Sequence, residues 1–184
     1  LMPMTVGLRR RLHRHPELGL DLPETTKAVR AALSGLDLDI AQGPSTRGPM
    51  VTLKGGQQGP TILLRGDMDA LPMGEERGLP FASTIPGRMQ ACGHDTHSAM
   101  LAGAARILAA RQTDLQGEVR FMFQPGEEGF HGARFMLDDG LLGGTEDYPL
   151  PEAAFAMHIM PNAAHGVLGS RDGALMAAAG MVEI

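Results

Sequence analysis

The chain has 184 residues, 43% of them hydrophobic and 20% charged, which suits one globular domain with its own core and excludes a disordered chain. A formal net charge of −5 leaves no basic field to hold phosphates. With no Trp and 4% aromatics there are no stacking platforms either, so nucleic acid is not an expected partner. One cysteine cannot form an internal disulfide, no apolar run approaches the roughly 18 residues of a membrane span, and no leader pattern precedes the first helix, so a cytoplasmic protein without a membrane partner is expected.

Leu8 and Leu12, four apart in a basic run, predict an amphipathic helix whose arginines form the wet face and which ends at His15-Pro16. A second helix follows Pro23, with Ala28, Val29, Ala32 and Leu33 on one stripe and Ser34-Gly35 as its stop. Met50–Leu53 and Thr61–Leu64 are β-rich runs separated by Gly and Pro, which predicts a hairpin. The second run empties into Asp67-Met68-Asp69. Residues 70–92 carry several Gly and Pro without a sustained period, a length of loop that points to function. Met100, Leu101, Ala104, Ala105 and Leu108 then mark the clearest helical stripe, with Asp95 or Thr96 as its N-cap. Val119–Phe123 predicts a buried strand, Ala133–Leu137 a short helix, and Ala153–Ile159 a strand containing His158. Strands alternating with helices imply an α/β domain with a largely parallel sheet. The chain opens on Leu1 and its last residues, 177–184, read as a strand with no cap after it, which suggests a fragment.

Side chains with ligand chemistry recur where strands end: Asp67 and Asp69, Glu127 and Glu128, and His158. Ligands bind at the carboxyl ends of strands in open α/β sheets, so these groups can converge on one crevice. Cys92 and His94, two apart in a Gly-containing loop before a helix, can aim a thiolate and an imidazole at one ion. Taken singly, Cys92 also reads as a small core residue, the Glu pair as a solvated loop and His158 as a hydrogen-bonded core histidine. Taken together they mix S, N and O donors, which suits zinc and similar first-row divalent ions.

Five ordered blocks carry a resemblance over essentially the whole chain: Arg11-Leu12-His13-Arg14-His15-Pro16-Glu17, Arg65-Gly66-Asp67-Met68-Asp69-Ala70-Leu71-Pro72, Ala91-Cys92-Gly93-His94-Asp95-Thr96-His97, Gln124-Pro125-Gly126-Glu127-Glu128-Gly129 and Met157-His158-Ile159-Met160-Pro161. In this order they resemble the N-acyl-amino-acid amidohydrolases, the hippurate and auxin-conjugate hydrolase branch of the aminoacylase and carboxypeptidase metallopeptidases. The resemblance implies a zinc-peptidase-like three-layer α/β domain, with a largely parallel mixed sheet flanked by helices. It implies two divalent ions, Zn, Mn, Co or Ni, held by Cys92, His94, Glu128 and His158, with partial occupancy in a fragment. Glu127 becomes the general base for hydrolysis of the amide bond of N-acyl amino acids or similar small amides.

Asp67 and Asp69 stand where other branches carry a His-x-Asp ligand motif, so they either bind metal or orient ligand imidazoles. The second role is favoured because the Cys-bearing branch draws its ligands from the later blocks. Asp95 and His97 are assigned to support of the site. His13 and His15 are given no metal role, and His131 and His165 are expected in exposed loops. Gln90 departs from the family's usual His. The resemblance further implies that residues 1–184 are the N-terminal part of the catalytic domain, ending near the start of a lid domain through which complete members form homo-oligomers. The alternative is a truncated, catalytically silent remnant that keeps the fold and a partial metal site.

Overall fold

The computed structural model describes residues 1–176, so the strand expected over 177–184 lies outside the described residues. Helices α1 (Met2–Arg14) and α2 (Pro23–Ala32) precede strands β1 (Asp39–Gln42), β2 (Pro49–Lys54) and β3 (Gln57–Asp67). Helix α3 (His94–Ala109), strand β4 (Gln116–Gln124), helix α4 (Gly132–Asp138) and strand β5 (Ala153–Ala156) follow. Among the described residues no helix is long and apolar enough to cross a membrane.

The strands form one mixed sheet in the order β1-β2-β4-β3-β5. β1 and β4 run antiparallel to β2, whereas β4 and β5 both run parallel to β3. The hairpin expected between β2 and β3 therefore does not form. β4 inserts between them, because Val51, Leu53, Phe121 and Phe123 bury together on one face only when β2 lies beside β4. Strand β1 was not expected from the sequence, since its Asp39-Ile40-Ala41-Gln42 run offers one apolar residue of any size and sits on the sheet edge.

Side chains alternate across the sheet, and the core divides accordingly. Val51, Leu53, Phe121 and Phe123 pack against Leu8 and Leu12 of α1, Val29 of α2 and Leu101, Ala102 and Ala105 of α3. Met50, Leu63 and Met122, one residue out of phase, pack against Met136 of α4. Full burial of residues such as Val29, Phe121 and Phe123 contributes about 2 kcal/mol each. The helices thus lie on both faces, and the chain leaves β3 across one face through α3 to reach β4. It then returns across the other through α4 to reach β5. Crossovers that diverge around β3 open a crevice at the carboxyl ends of β3, β4 and β5.

Candidate metal centre

The parallel register aligns Asp67 with Gln124 and Arg65 with Ala156, so the three strands end on one edge of the sheet. Their following loops deliver Asp69, Glu127 and Glu128, and His158 to the same place. His158 lies beyond the end of β5 rather than inside a strand as expected, because the ladder with β3 stops at Ala156.

Helix α3 supplies the fourth wall. Its N-cap is Gly93 at φ 93°, in the left-handed region, and not Asp95 or Thr96. A Cβ at Gly93 would collide with the Ile159 side chain, so only glycine permits the turn that presents Cys92 and His94 side by side. Asp95 is instead fully buried, with Arg9 Nε 2.8 Å from its carboxylate. The basic run of α1 is accordingly not all wet face.

His94 is fully buried, and its Nδ1–H donates to the Asp69 carbonyl at 2.8 Å. That bond fixes the tautomer and leaves the Nε2 lone pair facing the crevice, where it has no hydrogen-bond partner among the described residues. Around Nε2 stand Asp67 Oδ2 at 3.7 Å, Glu127 Oε2 at 3.8 Å and Glu128 Oε1 at 3.9 Å. A buried acceptor ringed by carboxylates calls for a cation. Burial works against a charge on His94, but hydrogen bonding to Asp69 and the charges of Asp67 and Asp69 outweigh it and raise its pKa.

Cys92 Sγ lies 3.3 Å from His158 Nε2, and His158 Nδ1–H donates to the Ile159 carbonyl at 2.7 Å. Burial, followed by the negative charge of Glu128, Asp67 and Glu127, pushes the Cys92 thiol up to about 12. A bound cation inverts that logic, since a coordinating thiol gives up its proton. His94 belongs to three sets of side chains whose ligand atoms lie within 4.8 Å of one another: with Cys92 and His158, with Glu127 and Glu128, and with Asp67 and His97.

The last set contains a histidine with no lone pair to give. His97 Nδ1–H donates to Asp67 Oδ1 at 2.6 Å while its Nε2 accepts the Ile159 N–H at 3.0 Å. Asp67 is also 2.7 Å from Arg65 Nη1. Burial would raise the Asp67 carboxyl, yet its bond to His97 and the charges of His94 and Arg65 bring it down to about 2. Asp69 accepts the Glu127 N–H at 2.9 Å and the Glu128 N–H at 3.1 Å, which fixes the acidic pair relative to His94. Gln90 is buried and donates to the Met68 carbonyl, tying the end of the 70–92 loop to the end of β3.

His15, His131 and His165 are exposed. Sequence reasoning missed Arg9 and Glu75, whose partners lie far along the chain, and Arg65, which pairs with the nearby Asp67. The one local signal was the spacing of Arg65 and Asp67, which puts both on the same face of β3.

Residues 63–178 match the model of the family described as peptidase family M20/M25/M40. The N-acetylcysteine deacetylase of Bacillus subtilis is 43% identical over 97% of this chain and 46% of its own length. An IAA-amino acid hydrolase of Arabidopsis thaliana is 40% identical over 97% of this chain and 39% of its own length. The crystal structure of the Bacillus subtilis YXEP protein, described as a dinuclear metal-binding peptidase from the M20 family, superposes with a TM-score of 0.80 at 43% identity, covering 87% of this chain and 43% of that one. The chain thus spans less than half the length of these relatives.

Proposed function

The chain belongs to peptidase family M20/M25/M40, and from that premise we propose that it carries the metal-binding half of an amidohydrolase acting on N-acyl amino acids or similar small amides. One observation carries the reading: the buried, unpartnered Nε2 of His94, with the carboxylates of Glu127 and Glu128 within 3.9 Å of it. The two relatives named for N-acetylcysteine and IAA-amino acids support the substrate class.

Cys92, His94, Glu128 and His158 would hold two divalent ions of the Zn, Mn, Co or Ni group. When bound, such ions polarise an amide carbonyl and lower the pKa of water towards about 7. Glu127 takes a proton from the attacking water as the carbon–oxygen bond forms. It then delivers that proton to the amide nitrogen as the carbon–nitrogen bond breaks, releasing a carboxylic acid and an amine. Glu128 faces Cys92 and is the less exposed of the pair, which suits a ligand, whereas the more open Glu127 carboxylate is free to shuttle the proton. Asp69 keeps both in place through their backbone N–H groups. Asp67, held by Arg65 and His97, sets the charge behind His94, and Asp95 anchors the start of α3. Residues 1–184 act as the N-terminal part of the catalytic domain of a cytoplasmic homo-oligomer whose remaining length supplies a lid.

Metal removal tests the reading. In the full-length protein, chelation is expected to abolish release of the free amine from N-acyl amino acids, and re-addition of a divalent ion to restore it. Turnover that persists once elemental analysis finds no metal contradicts the proposal.

A further inference from the structure

The block Arg11–Glu17 contributes none of the side chains around His94, yet its polar groups are not left to solvent. His13 is buried. Its Nδ1 lies 2.8 Å from Asp95 Oδ2, and its Nε2 lies 3.2 Å from Glu75 Oε1. The His13, Glu75 and Asp95 side chains are only 4%, 2% and 0% exposed. Carboxylates accept and do not donate, so an imidazolium alone satisfies both partners at once. The groups facing His13 are Asp95 from α3, Glu75 from the 70–92 loop, Arg9 from α1, which pairs with Asp95, and the Phe81 ring, edge-on with centroids 5.5 Å apart.

The same loop is held by the neighbouring residues of the block. Arg14 Nη2 donates to the Pro80 carbonyl at 2.8 Å, the Thr84 N–H to the Arg14 carbonyl at 2.9 Å, and the Ala70 N–H to the Glu17 carbonyl at 2.8 Å. Arg9 and Arg10 lie over the Phe81 ring. Glu75 spends its other oxygen on the Ser83 N–H, which ties the loop to itself.

We propose that His13 is a positioning residue which, as an imidazolium bridging Glu75 and Asp95, clamps the 70–92 loop onto α1 and the first turn of α3. That loop begins after Asp69 and ends at Cys92, so the clamp sets the separation of two sides of the crevice. The inference rests on the amidohydrolase reading only in treating Asp69 and Cys92 as site residues.

Hydrogen bonding to Asp95 raises the His13 pKa most, burial opposes it, and Glu75 adds to the rise. A raised folded value means the clamp is complete below the ordinary histidine range and is lost as pH climbs through the raised value.

Limited trypsin cleavage at the exposed Arg77 and Arg88 in the full-length protein reads the clamp without any turnover. Glu75→Gln is expected to speed cleavage roughly fivefold at neutral pH, with metal content unchanged and the thermal midpoint lowered by no more than a few degrees. Relative to an unfolded peptide with the same sites, wild-type cleavage rises with pH through the His13 titration. In Glu75→Gln it stays flat, because a glutamine amide can meet Nε2 in either protonation state. Where His13→Asn fails to fold, Glu75→Gln, which keeps the His13–Asp95 pair, decides alone. Cleavage of Glu75→Gln at the wild-type rate, or a wild-type profile no steeper than the peptide's, overturns the clamp. Failure to hydrolyse N-acyl amino acids changes neither readout.

Discussion

Glu127→Gln in the full-length protein is expected to lower turnover by about 10²–10⁴-fold while metal content stays at the wild-type level. Glutamine has nearly the shape of glutamate and leaves the Glu127 N–H on Asp69, so the loop keeps its course. What is lost is a group that can take a proton. Glu128→Gln is expected to act differently and lower metal content, because the carboxylate 3.9 Å from His94 Nε2 and facing Cys92 is assigned as a ligand. Elemental analysis beside initial rates separates the two. Equal metal loss in both variants would make both glutamates ligands and leave the reaction without its base.

Cys92→Ser is expected to weaken metal binding by about a hundredfold or more and to change its pH dependence. With the thiol pushed up to about 12 in the absence of a cation, each ion bound through sulfur displaces a proton at any pH in the neutral range. Affinity should therefore climb by about tenfold per pH unit from this group alone, and serine should remove that increment. Titration calorimetry in buffers of different ionisation enthalpy counts the released proton directly. The same raised pKa makes the metal-free thiol a poor nucleophile, so slow reaction with thiol reagents is expected whether or not metal is present.

What the sequence made legible was local. Cys92 and His94 are two residues apart, Glu127 and Glu128 adjacent, and Asp67 and Asp69 flank one residue, so each pair could be read as a unit where a strand or loop meets the next element. The α3 stripe was legible for the same reason, since 3.6-residue periodicity needs no distant partner. The β2–β4 pairing was not, because it joins runs separated by β3 and α3, while the Gly-rich link between β2 and β3 imitates a hairpin turn. The end of β5 was misplaced because Met157 and Ile159 continue an apolar run after the ladder has stopped. His13 was overlooked because its partners stand 62 and 82 positions away. Its place directly after the buried Leu12 was the available hint that it turns inwards. Asp95 looked like a cap for a comparable reason: the short-range rule for helix starts was visible and the ion pair with Arg9 was not.

X-ray absorption on the zinc-loaded full-length protein tests the ligand set most directly, because it distinguishes sulfur from nitrogen and oxygen at the metal. A sulfur scatterer at about 2.3 Å together with nitrogen and oxygen near about 2.0–2.2 Å, the sulfur disappearing in Cys92→Ser, is the expected result. Stoichiometric zinc surrounded only by nitrogen and oxygen would contradict a centre built on Cys92, His94, Glu128 and His158.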